Sequence, residues 1–381
     1  MNWIPVVEKI MTDFAQSTGL LQDKKPPRRY LWTDAFAVCN FLELYRRTGE
    51  EGWRQTALDL VEQVHNTLGR HREDDPRTGW ISGLSEEEGR RHPTMGGLRI
   101  GKEMNERKPD EPYDERLEWD RDGQYYHYLT RWMHALSRVS RETGDPAYNT
   151  WAIELAKAAH NRFLHTLKDG SRWMVWKMSI DLSYPQVSSM GQHDPLDGLI
   201  TYHQLQATAT RLSTTGLDLV SEMADMVTLC KGRNWTTDDP LGIGGLLCDA
   251  YKTARLTQES AFSDTALLQD LLKASLAGVE AYSTGRALKL PAEYRLAFRE
   301  LGLAIGLHAV EKMERLARGS EALAESEPLM DAFKRHLHLG ESIEHFWLDP
   351  QHHEVQSWSG HQDINSVMLA TRLAPDGYLE L

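Results

Sequence analysis

The feature that most constrains this chain is a helical pattern that ends in the same way twice. Ala35, Val38, Cys39, Leu42 and Tyr45 recur at three- and four-residue spacing, which lays one apolar stripe along one helix face. Arg46 and Arg47 follow, then Thr48-Gly49: basic residues in a last turn and a glycine stop. The pattern returns with Tyr128, Trp132, Ala135 and Leu136, running into Arg141 and Thr143-Gly144. Each stop is followed at once by another helical stretch, predicted over 51–68 and 146–163. Alternating β-branched runs bounded by turn residues do not recur, so strands are not expected.

The same grammar predicts helix pairs at 197–212 with 216–230, 243–256 with 262–283, and 294–317 with 328–346. Single helices remain near the ends, at 3–17 and 361–373. If those two pair, the chain is an all-α toroid of six helical hairpins, a single domain over 1–381. Turns within pairs are short. Connections at 70–123, 167–196 and 346–360 are long and, by alternation, fall on one face. Long loops in a compact domain usually carry function, so this is the expected active-site face.

Composition narrows the function classes. With 40% hydrophobic and 26% charged residues, the 381-residue chain has material for a sizeable core. Its formal charge is −13, which repels phosphate backbones, and no long basic stripe offsets it. The expected partners therefore exclude nucleic acid and membrane, and oligomeric state is not legible. No window is apolar enough to cross a bilayer. The opening MNWIPVVEKIMTDF carries acids and does not read as a signal peptide, so a cytoplasmic protein is expected. Cys39, Cys230 and Cys248 are widely spaced, without a CxxC pair, and read as free thiols in a reducing compartment.

Four segments carry most of the chemistry: Trp32-Thr33-Asp34-Ala35-Phe36, Glu118 to His127, Gly191 to Gly198, and Trp358 to Asp363. On these segments and the hairpin pattern, the chain resembles the six-hairpin glycosidase-like (α/α)6 barrels. That superfamily includes glycoside hydrolases and the N-acylglucosamine 2-epimerase and sugar isomerase family. The resemblance implies a pocket at the mouth of the inner helices, lined with aromatics, carboxylates and histidine. No single family's catalytic signature is matched.

Each segment places an acid near the first turn of a helix: Asp34, Asp122, Asp197 and Asp363. Such acids either serve general acid/base chemistry on a sugar or stabilise a helix start. Asp194, before Pro195, reads as a cap, which leaves His193 in the loop and able to face the pocket. The run Glu118-Trp119-Asp120-Arg121-Asp122 crowds acids beside Trp119, Tyr125 and His127. Crowding raises one carboxyl pKa, and Asp122 is the first choice for a catalytic acid. His361 and Asp363 are further proton carriers. The expected substrate contacts are Trp32, Asp34, Trp119, Arg121, Tyr125, His127, Trp176 and Trp358, with loop tryptophans stacking on pyranose faces.

Two catalytic readings and one without catalysis remain open. In a glycoside hydrolase, Asp122 protonates the leaving oxygen and Asp197 or Asp363 activates water. In an epimerase or isomerase, His193 and His361 move a proton beside the sugar carbonyl. A non-catalytic sugar-binding domain is the third. The partner is a small saccharide in each case. No cofactor is expected, and adjacent His352 and His353 on an irregular loop do not make a metal site. Phosphate-loop, GxSxG and HExxH templates are missing, and Gly242-Ile243-Gly244-Gly245 opens a helix without a preceding strand.

Overall fold

The computed structural model describes residues 3–21, 26–214 and 216–381; Met1 and Asn2 of the opening stretch lie outside them. Helix α1 (Ile4–Ser17) opens the chain. Contacts then divide it into two compact units, Ala15–Lys231 and Met1–Phe14 with Gly232–Leu381.

The unit Ala15–Lys231 is built on α2 (Leu31–Thr48), α3 (Glu51–Leu68), the short α4 (Glu86–Arg91) and α5 (Glu115–Asp120), α6 (Tyr126–Thr143), α7 (Pro146–Phe163), α8 (Asp194–Arg211) and α9 (Val220–Cys230). Helices buried almost all round alternate with helices buried along one stripe. Every residue of α2 from Leu31 to Leu44 is buried. In α3 only Thr56, Ala57, Leu60, Val61, Val64, His65 and Leu68 are, the three- and four-residue spacing of an outer helix. Between the inner helices α6 and α8 runs a polar seam: Tyr126 and Tyr202 share a hydrogen bond of 2.8 Å, and Ser137 and Thr208 one of 2.9 Å. These buried hydroxyls are thus paired and help fix the register of the two helices.

The two Thr-Gly stops are built alike. Gly49 and Gly144 sit at φ 73° and 74°, the left-handed conformation that ends a helix, and donate to the carbonyls of Tyr45 and Ser140. Thr48 and Thr143 each donate a hydroxyl back to the carbonyl four residues earlier, at 2.8 Å. Each also accepts the N–H two residues on, at 3.2 Å. The sequence repeat is therefore a repeat of turn chemistry.

Strands do occur, contrary to the sequence expectation, within the connection 167–196 and beside the ends of the long connections. β1 (Gln124–Tyr125) pairs antiparallel with β4 (Lys177–Met178), and β2 (Leu164–Thr166) with β3 (Arg172–Met174). Ladders of two or three residues are too short to leave a periodic signal. The connection 70–123 is fastened to its unit. Arg77 holds Asp75 at 2.8 Å and Glu106 and Asp181 at 2.6 Å each, while Trp80 is buried beneath Arg70.

The unit Met1–Phe14 with Gly232–Leu381 contains α10 (Pro240–Gln258), α11 (Thr265–Thr284), α12 (Ala297–Ala317), α13 (Glu327–Ala332), α14 (His338–Leu348), α15 (Gln356–Ser359), α16 (Gln362–Leu373) and α17 (Asp376–Leu379). The glycines read at 242–245 are explained by packing: a Cβ on Gly244 would lie 2.1 Å from the carbonyl oxygen of Gly302, so α10 and α12 touch backbone to backbone. The expected helix over 328–346 is broken by a 3-10 turn at Phe333–His336, whose three-residue period brings Phe333 and His336 to one buried face. Cys39 and Cys248 are buried, as expected, and neither forms a disulfide. No helix among the described residues is long and apolar enough to cross a membrane.

One buried histidine makes the fold sensitive to acid. His65 on α3 lies edge-on to Trp132 and Trp151 and accepts the Trp132 indole N–H at 3.1 Å. Burial pushes it from 6.5 down to about 3. The unfolded chain therefore takes up a proton below pH 6.5 that the folded chain refuses. The stability His65 contributes is complete above 6.5 and falls with pH by roughly 1.4 kcal/mol per unit while that difference lasts. Urea denaturation at pH 7 and pH 5 should show this loss, and His65→Gln, which keeps an acceptor for Trp132, should reduce it, leaving the part due to His308, which burial pushes down to about 4.

Candidate active site

The site-bearing residues of the unit Ala15–Lys231 gather where β1 runs into α6. Pairing of β1 with β4 sets Tyr125 opposite Lys177, and the Tyr126 N–H donates to the Trp176 carbonyl at 3.1 Å. This ladder carries three parts of the chain to one place. The Tyr125 ring lies 5.1 Å from Trp176, 5.6 Å from His127 in a stacked arrangement, and 5.0 Å from Tyr128 edge-on. Trp119 stacks on Trp176 at 5.1 Å and is 54% exposed, so the wall offers an open indole face. Trp176 donates its indole N–H to Ser189 at 2.9 Å.

Cations surround this wall. The ammonium groups of Lys102 and Lys177 stand 5.8 and 5.6 Å from the Tyr125 ring centre. Lys177 is wholly buried and donates to the Glu118 carbonyl at 2.6 Å, the Glu118 carboxylate at 3.1 Å and the Arg121 carbonyl at 3.1 Å. Lys102 donates to the Trp119 carbonyl. Burial lowers the pKa of both lysines. Burial, then the neighbouring Tyr30 and Glu118, raises that of Tyr125, whose buried hydroxyl has no hydrogen-bond partner.

Beside the wall, two rungs join the inner helices α6 and α8. His127 Nδ1 lies 3.5 Å from Asp194, and Arg131 lies 3.1 Å from Asp197. The spacing explains the pairing. His127 and Arg131 are one turn apart on α6, as are Asp194 and Asp197 on α8, so facing helices match them rung for rung. His127 is 35% exposed at its side chain, whereas Asp194 is buried and its Oδ2 has no partner. His127 thus has one nitrogen toward a buried carboxylate and a part of its ring open to solvent.

Several expected roles change in the folded chain. Asp194 does not cap: α8 starts at Asp194 itself, His193 is the residue before it, and no side chain caps the end. The carboxylate turns to His127 instead. His193 is half-buried and its carbonyl accepts the Asp197 N–H at 2.9 Å.

Asp122 is fully buried, bound by Arg72 at 3.2 Å, Arg99 at 3.0 Å and the Gly101 N–H at 2.9 Å. A buried carboxylate whose oxygens are taken by two guanidinium groups and backbone N–H groups has no free oxygen to offer a substrate. Arg121 does not orient its neighbouring acids; it pairs with Glu111, and Glu118 is held by Arg107 at 2.6 Å. Trp32 and Asp34 are interior, the former against Phe36, the latter accepting the Tyr30 N–H at 2.9 Å beside Arg29.

The carboxy-terminal candidates belong to the other unit. Trp358 is buried there, stacked on His353 at 3.6 Å and on Trp347 at 5.6 Å. His361 is exposed at the start of α16 with its ring edge-on to Phe298, and Asp363 lies in the first turn. His352 and His353 bond the carbonyls of Phe346 and Trp347, at 2.6 and 2.8 Å. No group of three metal-capable side chains occurs among the described residues.

Arg131, Asp194, Lys102 and Lys177 were not among the site residues read from the sequence. The first two were detectable, because 127/131 and 194/197 are helical spacings of complementary charge. The lysines were not: Lys177 is placed by β1–β4 pairing, and Lys102 by the folding of the connection 70–123 against Trp119 and Asp122.

No protein-family model matches the sequence, and a search of curated proteins finds no match. Solved structures do match. A crystal structure of D-mannose isomerase aligns over 88% of this chain and 86% of its own, at 10% identity and a TM-score of 0.50. The chain has the six-hairpin (α/α)6 barrel fold. A sugar epimerase from a ruminal bacterium aligns over 87% of this chain and 86% of its own, at 12% identity and a TM-score of 0.45. The cellobiose 2-epimerase of Spirochaeta thermophila DSM 6192 covers the same shares at 11% identity and a TM-score of 0.45. In barrel terms α2, α6 and α8 are inner helices and α3, α7 and α9 outer ones, so both rungs stand on inner helices.

Proposed function

We propose that the chain is a carbohydrate-active enzyme that moves a proton on the carbon next to a sugar carbonyl, as an epimerase or aldose–ketose isomerase does. The observation that carries this reading is the His127–Asp194 pair beside an exposed aromatic wall. When Nδ1 carries the proton toward Asp194, 3.5 Å away, the lone pair of His127 lies on Nε2, where it can take a proton from carbon. The C–H electron pair then becomes a C=C bond and the carbonyl π pair moves onto the oxygen, giving an enediolate. Returning the proton to the former carbonyl carbon, while the hydroxyl proton passes to the other oxygen, isomerises the sugar; protonation of the same carbon from the opposite face, by water or a second acid, epimerises it. Arg131, one turn along α6, adds positive charge to the side of the helix where negative charge develops. Trp119 and Trp176 supply the surface for a pyranose C–H face. The shared fold with a structure named D-mannose isomerase accords with this by analogy.

This reading replaces hydrolysis as the leading one because hydrolysis needs a carboxyl that can deliver a proton at a leaving oxygen. Asp122 is enclosed, and Asp197 is held by Arg131. The test is proton NMR of the purified protein with mono- and disaccharides in deuterated water. Interconversion of a reducing sugar, with deuterium entering beside its carbonyl, is the expected result. Release of new reducing ends from a disaccharide without such exchange would make the enzyme a hydrolase. Saturable binding without product across the panel would make the chain a binding protein.

A further inference from the structure

We infer that the unit Ala15–Lys231 carries a second ligand site, separate from His127, that takes a neutral polyhydroxylated ring. It is a cavity of about 580 Å³ lined by Arg107, Tyr113, His165, Trp173, Gln186 and neighbouring apolar side chains, within the usual size of small-molecule sites. The β2–β3 hairpin builds one wall. His165 pairs across the ladder with Trp173, and by the two-residue period Leu167 and Val175 continue the same face. The segment 185–189 lines the cavity too, and Tyr113 comes from the long connection. Tyr113 and Trp173 are 58% and 37% exposed, so two aromatic surfaces stand uncovered.

Polar chemistry selects the ligand. Gln186 is 1% exposed, and its amide nitrogen donates to the Arg107 carbonyl at 3.1 Å and to the Tyr184 hydroxyl at 3.4 Å. Because a carbonyl only accepts, the nitrogen must face it, which leaves Oε1 as the free end. That oxygen is buried without a hydrogen-bond partner, and so is His165 Nε2. A buried acceptor without a donor is costly unless something supplies one. The Arg107 guanidinium is already committed to Glu118, to the Glu111 carbonyl and to the Gln186 carbonyl. No other Lys or Arg lines the cavity. A hydroxyl, which both donates and accepts, suits Gln186 Oε1 and His165 Nε2, and a ring with C–H faces suits Tyr113 and Trp173.

The experiment is fluorine NMR of the full chain labelled with 5-fluorotryptophan, the Trp173 signal being identified by its loss in Trp173→Phe. The probe is methyl β-D-glucopyranoside, which has no free carbonyl, so its binding here is independent of whether His127 transfers protons. The expected result is a saturable shift of the Trp173 signal, weakened about ten-fold in Tyr113→Ala, whose melting temperature should not change. Gln186→Leu should weaken it further if that variant folds; the exposed Tyr113 position keeps the test valid if it does not. An unmoved Trp173 signal at the highest soluble probe concentration overturns the proposal. Unchanged affinity in Tyr113→Ala, or equal affinity for the anionic methyl β-D-glucuronide, overturns it as well.

Discussion

Replacing His127 with glutamine is expected to lower turnover of the reducing sugar by about 10³-fold, the typical worth of a positioned general base. Glutamine keeps the size of the side chain and a donor toward Asp194 but has no nitrogen that can take a proton. His127 is 35% exposed and packs beside Tyr125 without being enclosed, so unfolding free energy should move by no more than about 0.5 kcal/mol. Asp194→Asn should cost less, roughly 10²-fold, because the ring is misoriented without being removed. Its effect should fall on kcat and on the pH profile, with KM nearly unchanged. Progress curves by NMR and urea denaturation of the same preparations check both halves. Full turnover in His127→Gln would end the assignment.

Asp122→Ala should give the largest stability change, a loss of about 3–5 kcal/mol in the free energy of unfolding. The reason is what remains. Arg72 and Arg99, each 12% exposed at the side chain, lose the carboxylate that both of them bind. Arg72 keeps Asp74 at 2.6 Å, but Arg99 keeps only the carbonyls of Thr67 and Arg70. The Gly101 N–H loses its acceptor as well. Removing Arg99 together with Asp122 should therefore cost less than the sum of the single changes, because the pair is coupled. Urea denaturation measures all three variants. If Asp122→Ala instead kept full stability and lost all turnover, Asp122 would be a proton donor after all, and the hydrolytic reading would return.

These two residues show how differently the sequence speaks about site and scaffold. Both lie within one dense segment, Glu118 to His127, and both read there as site residues. Asp122 was the first choice for chemistry because acids cluster around it. That argument counts neighbours along the chain, whereas a carboxylate responds to neighbours in space. Arg72 and Arg99 are distant by sequence and arrive only when the connection 70–123 folds onto its unit. His127 was read as a substrate contact, and its partner Asp194 as a helix cap. A sequence cannot show whether an acid at a helix start turns to its own N–H groups or to a ring on the next helix, since both arrangements use the same residue at the same position.

The helices were far more legible. Glu51–Leu68 and Pro146–Phe163 stand as predicted, and Thr48-Gly49 and Thr143-Gly144 stop their helices by one shared turn. Stripe spacing, a basic last turn and a glycine with positive φ are local properties, satisfied within a few residues, so the sequence alone determines them. The two-residue strand at Gln124–Tyr125 is not local. It exists because Lys177–Met178 pairs with it, and that pairing brings Trp176, Lys177 and Tyr125 together. The sequence by itself determined a mainly helical chain and where several of its helices start and stop. Only the tertiary structure decided which acid meets arginine and which meets histidine, because charge partners are chosen by distance in space and that distance is fixed by the packing of helices and loops far apart in the chain.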